Sequence, residues 1–291
     1  MLKNSGYSRT DLACESQAVN GAGKRREYRR GEFVCSELII SKDEEAYFEK
    51  KAGRYVTMSP GKLWLWDDEK AESFAGALAD ELIRFTEEAI SGEITPETSV
   101  LVCGLGNRFI TADALGPQTL DKLTVTRHMM GSGGIFDRLG CSSIAAVAPG
   151  TLGQTGIEAQ RLLSGAVAEA KPDAVIVIDA LAAKSTERLC RTVQLSDSGI
   201  RPGSGIGNSR SEISRESIGV PVISVGVPTV VDSSTLVCDV LEQAGFDEVS
   251  DEITQILESG RDFFVSPKEC DIITDSLSAI LASAIEKAFG L

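Results

Sequence analysis

The sequence predicts an α/β protein, a three-layer α/β/α sandwich around a mostly parallel sheet. Four apolar runs of strand length alternate with segments of helical periodicity, and these runs are 100–103, 144–148, 174–178 and 222–225. Strands that are apolar on both faces are typical of sheets that helices cover on both sides, and such sheets are mostly parallel. We expect one body from about residue 95 to residue 291, to which residues 37–94 add peripheral elements.

The N-terminal elements are predicted in order. Residues 1–36 are polar and irregular, and they contain the basic run Lys24–Arg30. Such a run predicts a solvated arm, and the alternative is an arm that docks on the acidic body. Strand-forming residues follow at 33–34 and 38–40. The clearest helix spans about 67–90, because apolar side chains recur there at helical spacing, at Phe74, Leu78, Leu82, Phe85 and Ala89.

Three more helices are predicted between and after the apolar runs. One lies near 156–170 and is opened by a capping box of Thr155 and Glu158. Asp232 is the candidate N-cap of the second, and the third runs near 271–289 with Gly290 as its stop. Two Gly/Ser-rich stretches, 131–134 and 199–211, are predicted to be long loops of the kind that line sites.

The composition excludes several classes of protein. The chain has 291 residues and a formal net charge of −14, which argues against a nucleic-acid partner. It has no uninterrupted apolar run of about 18 residues and no secretory signal, so we expect no membrane partner. Its seven cysteines form no Cys-x-x-Cys pair and predict free thiols in a cytoplasmic protein. A single histidine excludes metal sites that need several imidazoles.

Two aspartates stand where ligands bind in an open parallel sheet, at the carboxyl ends of its strands. Asp179 closes the run 174–178, and Asp113 lies in the loop after the run 100–103. Each has an alternative role as a helix cap or a structural hydrogen-bond acceptor. If both loops fold over the same edge, the two carboxyl groups meet and share a proton. Such a pair is suited to act as base and acid on one water molecule.

Other site patterns are weaker. Gly104 and Gly106 invite a dinucleotide-binding interpretation, but Phe109 stands where a third glycine would be required. No Gly-x-Ser-x-Gly elbow supports serine catalysis. His128 is either a surface histidine or a hydrogen-bond donor or metal ligand beside the two aspartates.

Several segments together resemble the germination protease family of endospore-forming bacteria. The match runs in order from about residue 8 to the C-terminus and is carried by residues 104–117, 125–128, 148–157, 177–183, 196–208 and 226–232. The resemblance implies a fold related to the hydrogenase-maturation proteases. It also implies an aspartate-dependent endopeptidase with Asp113 and Asp179 as its essential aspartates, and we expect no cofactor and no bound metal.

The resemblance further implies a zymogen, a homotetramer and a place in the forespore and spore core, where the family degrades small acid-soluble spore proteins. Such substrates are cut after the first Glu of a motif like Thr-Glu-Phe-Ala-Ser-Glu. Residues 10–15, Thr-Asp-Leu-Ala-Cys-Glu, have the same layout. We therefore expect self-cleavage between Asp11 and Leu12, with residues 1–11 as a propeptide and residues 12–291 as one peptidase domain.

Two departures from the family pattern concern the site. Ala112 precedes the first aspartate where a proline is usual, and Arg201 stands where a histidine is expected. Because the motif's acidic residues flank the cut bond, basic side chains should bind them, and the candidates are Arg108, Arg127, His128 and Arg201. We expect backbone amides of the Gly-rich loops to stabilise the oxyanion. The alternatives are a metal-dependent maturation-type peptidase that uses the same aspartates with His128, and a nucleotide-binding module.

Overall fold

A computed structural model describes residues 9–16, 22–130, 138, 140–207, 210–246, 250–258 and 263–291. Its strands are β1 (Lys24–Arg30), β2 (Phe33–Ile40), β3 (Gly53–Met58), β4 (Ser99–Gly104), β5 (Ser143–Val147), β6 (Ala174–Ala183), β7 (Val193–Ser196), β8 (Val222–Asp232) and β9 (Phe264–Val265). Its helices are α1 (Glu45–Phe48), α2 (Asp68–Ile90), α3 (Leu115–Lys122), α4 (Leu152–Thr155), α5 (Ala159–Ala170), α6 (Arg215–Ile218), α7 (Ser233–Gln243), α8 (Asp251–Glu258) and α9 (Cys270–Ala288). Short 3₁₀ helices lie at Ala13–Glu15, Lys42–Glu44, Leu63–Leu65, Thr111–Asp113, Arg127–Met129, Thr186–Arg188 and Ser204–Ile206.

All these strands belong to one sheet. Its order is β1-β2-β3-β7-β8-β6-β4-β5, and β9 pairs with β8 outside this path. The central strands β5, β4, β6 and β8 run parallel, which confirms the parallel core predicted from the four apolar runs. On the other side β7, β3, β2 and β1 add an antiparallel extension. Residues 37–94 therefore contribute strands to the same sheet and a long helix, α2, that packs against it.

Helices cover both faces of the parallel strands, as the sandwich prediction requires. On one face α2 and α9 pack on alternate strand residues such as Val102, Ile176 and Ile223. On the other face α5 packs on the intervening residues, including Leu101 and Val175. The predicted helix over 67–90 is confirmed, and Asp67 caps it by accepting a hydrogen bond from the Lys70 N–H at 3.0 Å.

The basic run Lys24–Arg30 is a strand, so the prediction of a solvated arm is wrong. It forms β1, the edge strand, and pairs along its whole length with β2. Arg26 forms an ion pair with Glu37 of β2, and Arg30 forms one with Glu81 of α2. Charged side chains on an edge strand discourage further strand pairing, which gives the run a structural reason for its composition.

Two other local predictions differ from the structure. The prediction of a capping box at Thr155 and Glu158 is wrong, because Gly156 adopts a left-handed conformation with φ 71° and ends the short helix α4 there. The box instead joins Thr151 and Gln154, and α5 begins after Glu158 without a side-chain cap. Strand β6 does not end before Asp179 but continues to Ala183.

The remaining predicted helices are confirmed. Asp232 caps α7 through hydrogen bonds from the N–H groups of Ser234 and Thr235, both at 3.0 Å. The C-terminal helix α9 occupies Cys270–Ala288. The Gly-rich stretch 131–134 lies outside the described residues. In the described part of the chain, each helix is too short or too polar to cross a membrane.

The antiparallel extension is joined to α2 by a buried charge cluster, which yields a stability prediction. Glu81 is fully buried and accepts hydrogen bonds from Tyr28 Oη (2.8 Å), Arg30 Nε (2.5 Å) and Arg84 Nη2 (2.6 Å). Glu81→Gln removes the fully buried carboxylate that pairs with the partly buried Arg30 and Arg84, and it should lower the free energy of unfolding by roughly 3 kcal/mol. Urea denaturation measures this loss.

Glu88→Gln is the matched control on the same helix. Glu88 also pairs with an arginine, Arg54, but its side chain is 48% exposed. Its loss should cost less than about 1 kcal/mol. Equal losses in the two variants would contradict the role assigned to the buried cluster.

Candidate active site

The site is built around Asp179 in the middle of β6. In the sheet register Asp179 lies beside Gly226 of β8. Its side chain is 6% exposed, and one carboxylate oxygen accepts the Ala180 N–H at 3.0 Å. The flanking strand residues are apolar and packed into the core, so the backbone of the sheet fixes where this carboxyl group lies.

Asp113 reaches the same edge of the sheet from the loop after β4. It ends the 3₁₀ helix Thr111–Asp113, and its Oδ2 accepts the Asn107 N–H at 2.7 Å. The Thr229 hydroxyl of β8 donates to the Ala112 carbonyl at 2.5 Å and ties the loop to the sheet. Gly106 has φ 108°, and a Cβ there would lie 2.0 Å from the Asp113 carbonyl oxygen. This tight turn therefore requires glycine.

Burial and mutual repulsion perturb both carboxyl groups. Burial raises the pKa of Asp179 well above its ordinary value, and the nearby charges of Asp113 and Asp11 raise it further. Burial also raises the pKa of Asp113, against the opposing effect of the Asn107 hydrogen bond. The two environments favour a proton on Asp179 and the negative charge on Asp113.

The chain's own residues Arg9–Ser16, the N-terminal segment, lie against β6 beyond Asp179. The Asp11 N–H donates to the Ala182 carbonyl at 2.9 Å, and the Ala182 N–H donates to Asp11 Oδ2 at 2.9 Å. The Ser204 hydroxyl donates to Asp11 Oδ1 at 2.6 Å. A Cβ on Gly205 would lie 2.2 Å from Asp11 Oδ2, so the Gly-rich loop can approach this carboxylate only because position 205 has no side chain.

The residues after Asp11 are held equally closely. Leu12 is fully buried in an apolar pocket formed by Leu181, Ala183 and Val231. Three residues further on, the Glu15 side chain turns back toward the end of β6. Its carboxylate accepts hydrogen bonds from the N–H groups of Lys184 and Ser185 at 2.7 and 2.9 Å, and Arg188 Nε lies 3.6 Å from it.

Two side chains that bind the backbone of the N-terminal segment were not predicted. Gln194 of β7 accepts the Ala13 N–H at 2.7 Å and donates from Nε2 to the Asp11 carbonyl at 3.2 Å. Lys50 donates to the Thr10 carbonyl at 2.7 Å, and burial lowers the pKa of its amine. Gln194 lies on β7 and Lys50 follows α1, and neither belongs to a recognisable motif, so only the folded chain brings them to Asp179.

A groove of about 840 Å³ runs along the N-terminal segment, and Asp179, Lys50 and Gln194 all line it. Arg201, one of the predicted basic candidates, lines this groove as well and pairs with Glu212 at 3.1 Å. Asp11, Asp179 and Arg201 thus line one groove, and Asp113 lies near enough to Asp179 to raise its pKa.

The other basic candidates lie elsewhere. Arg108 is exposed on the loop that leads to Asp113 and pairs with Asp121 at 2.6 Å. Arg127 and His128 line a separate groove of about 620 Å³ beside β5, and Arg127 reaches the Glu169 carbonyl at 3.4 Å. In the described residues neither Arg127 nor His128 is hydrogen-bonded to Asp113 or Asp179. Among those same residues, no group of three or more His, Cys, Asp or Glu side chains is gathered as a metal would need.

The family model and the matching sequences of known proteins agree on one family. The family model of the germination protease matches residues 7–244. The germination protease of Clostridium acetobutylicum is 38% identical over 96% of this chain and 94% of its own length. That of Bacillus velezensis is 40% identical over 80% of this chain and 66% of its own length. Among solved structures, the [NiFe] hydrogenase maturation protease HycI from Thermococcus kodakarensis matches with 16% identity and a TM-score of 0.31, over 67% of this chain and 97% of its own.

The raised pKa of Asp179 yields a prediction about stability. The folded protein holds a proton that an unfolded aspartate releases near pH 4, so this group lowers stability as the pH rises from about 4 through its folded pKa. Asp179→Asn removes that loss. The variant should therefore be more stable than the wild-type chain at neutral pH, with a gain that shrinks toward pH 4.

Thermal unfolding across pH 4–8 measures this difference. Asp275→Asn changes an aspartate on the surface of α9 that pairs with Lys122 and is the control. It should leave the pH profile of stability almost unchanged. A gain for Asp179→Asn that stays the same at every pH would contradict the buried, proton-holding carboxyl group.

Proposed function

The chain belongs to the germination protease family and is a peptidase, and on that premise we propose that Asp113 and Asp179 activate water for hydrolysis of a peptide bond. The observation that carries the proposal is the Asp11–Leu12 peptide. It lies beside the buried Asp179, and hydrogen bonds hold the chain on both sides of it. The N-terminal segment thus occupies the groove as a substrate would.

The two aspartates differ in a way that assigns their roles. Asp113 carries the charge and acts as general base, taking a proton from the water that attacks the Asp11 carbonyl carbon. Asp179 holds a proton and acts as general acid, giving it to the Leu12 nitrogen as the C–N bond breaks. The raised pKa of each group supports this division, because acid and base work best when their pKa values lie nearer the working pH.

The proposed enzyme is made as a zymogen. Residues 1–11 are the propeptide, and self-cleavage between Asp11 and Leu12 releases them and opens the groove. Until then the N-terminal segment fills the site with this chain's own residues, which keeps other substrates out.

The contacts of the N-terminal segment define a substrate class. Asp11 is bound by Ser204 and Ala182, Leu12 fills an apolar pocket, and the backbone amides of Lys184 and Ser185 bind Glu15. The preferred substrate is therefore acidic before the cut bond, apolar after it, and acidic again three residues further on. We propose that small acid-soluble spore proteins supply this pattern, in the forespore and spore core, to a homotetrameric enzyme.

Self-cleavage tests the aspartate pair. After refolding from urea, the full chain should lose residues 1–11, with or without EDTA, as intact mass reports. Asp113→Asn and Asp179→Asn should each slow this loss by about 100-fold or more, because each removes one partner of general acid–base catalysis. Asp275→Asn, on the surface of α9, should cleave at the wild-type rate. Full cleavage in either site variant would refute the pair, and cleavage lost only with EDTA would point to a metal.

The acid after the cut bond gives a second prediction. Glu15→Ala removes a carboxylate that accepts two backbone N–H bonds, each worth about 1.5–3 kcal/mol when charged, so self-cleavage should slow about tenfold or more. Ser16→Ala, next to it, should leave the rate within about twofold. Equal rates for the two variants would contradict recognition of this acid by the end of β6.

A further inference from the structure

A neutral side-chain amide faces the carbonyl group that the proposed reaction attacks. Resting on the proposed cleavage of the Asp11–Leu12 bond, we infer that Gln194 is a catalytic residue that stabilises the oxyanion formed on the Asp11 carbonyl oxygen. Its Nε2 already donates a hydrogen bond to that oxygen, at 3.2 Å.

The sheet itself positions Gln194 opposite Asp179. Gln194 of β7 lies beside Gly226 of β8, and Gly226 lies beside Asp179 of β6, so the three residues form one row across the sheet. The neighbours of Gln194 in β7, Val193 and Leu195, point into the core beneath α2 and α9. Because side chains alternate along a strand, Gln194 points to the opposite face, as Asp179 does.

The spacing of this row suits a substrate backbone. Neighbouring strands lie about 4.8 Å apart, so the Cα atoms of Gln194 and Asp179 are separated by roughly 10 Å. The middle position is glycine, and the Leu181 side chain fills the space above it, with Cγ 2.5 Å from where a Cβ of Gly226 would lie. Leu12 packs against Leu181, and the Asp11 carbonyl lies where Gln194 Nε2 reaches it.

The orientation of the Gln194 amide is fixed by the peptide itself. Oε1 accepts the Ala13 N–H at 2.7 Å, which turns Nε2 toward the Asp11 carbonyl. The side chain is 7% exposed, so its hydrogen bonds are made away from bulk water. One glutamine thus holds the backbone on both sides of Leu12 and keeps its donor in place before the reaction begins.

Hydrolysis of the peptide bond is favoured by a hydrogen-bond donor at the carbonyl oxygen. When the water oxygen bonds to the Asp11 carbonyl carbon, the electron pair of the C=O bond moves onto the oxygen, and it returns when the bond to the Leu12 nitrogen breaks. Asp113 takes the proton from water and Asp179 supplies the proton to nitrogen, so Gln194 only donates a hydrogen bond. That bond strengthens as the oxygen becomes charged, which lowers the barrier to attack.

The Gly-rich loop has a different part in this arrangement. Backbone amides of that loop were expected to stabilise the oxyanion, yet the loop meets the Asp11 side chain, through the Ser204 hydroxyl and the space left by Gly205. The loop thus binds the carboxylate before the cut bond, while Gln194 binds the reacting carbonyl.

The test is the self-cleavage rate of the full chain, measured by intact mass after refolding from urea. Gln194→Ala should slow cleavage about 100- to 1,000-fold, the usual cost of one oxyanion donor. Gln194→Glu keeps the acceptor for the Ala13 N–H but replaces the donor with a negative charge, so it should be at least as slow, and it stands in if the alanine variant does not fold. Gln160→Ala, a glutamine on α5 that bonds the Ser217 carbonyl, should cleave at the wild-type rate.

Amide exchange separates catalysis from docking of the N-terminal segment. In an Asp179→Asn background, which should slow cleavage about 100-fold or more, the Asp11 N–H should stay protected whether residue 194 is Gln or Ala, because it bonds the Ala182 carbonyl. Slow cleavage with a protected Asp11 supports the inference. Cleavage within about threefold of wild type in Gln194→Ala overturns it, as does loss of protection, which would make Gln194 a docking residue. A wild-type chain that never cuts after Asp11 overturns the proposed function and this inference together.

Discussion

The buried carboxyl group of Asp179 is the constraint on which the rest of the site depends. Strand β6 is apolar on both faces except at Asp179, and the core around the strand excludes most water from this carboxyl group. Burial alone raises its pKa, and the approach of Asp113 raises it further. The sheet thus maintains an unfavourable environment for a negative charge on Asp179.

The N-terminal segment both pairs with the strand that carries Asp179 and covers the end of that strand. Its hydrogen bonds to Ala182 lengthen the hydrogen-bonded edge of β6, and Leu12 covers the apolar end of the strand. Under the proposed function, the contacts that stabilise the chain's own segment also define the substrate that replaces it. The proposed recognition is mostly by backbone groups, with sites for one apolar and two acidic residues.

The two halves of the sheet supply different residues to the site. The parallel half supplies both aspartates, whereas the antiparallel extension supplies Gln194, from β7. The charge cluster of Glu81 and its arginines joins α2 to β1, at the far edge of that extension. Stability of the extension and the position of Gln194 are therefore connected through the sheet.

The sequence by itself determined the parallel core and the long helices, and it singled out Asp113 and Asp179 as candidates. These follow from local patterns, since apolar runs and helical spacing occur in consecutive residues, and an acid next to an apolar run is visible in the sequence. Tertiary structure alone decided that the basic run 24–30 is an edge strand, that β6 continues past Asp179, and that Gln194 reaches Asp11 while Lys50 reaches Thr10. Arg127 and His128 were candidates by loop position, but the loop packs beside β5 and directs them to another groove. Pairing partners that lie more than a hundred residues apart leave no local pattern, because the contact is set by register and packing rather than by neighbouring residues.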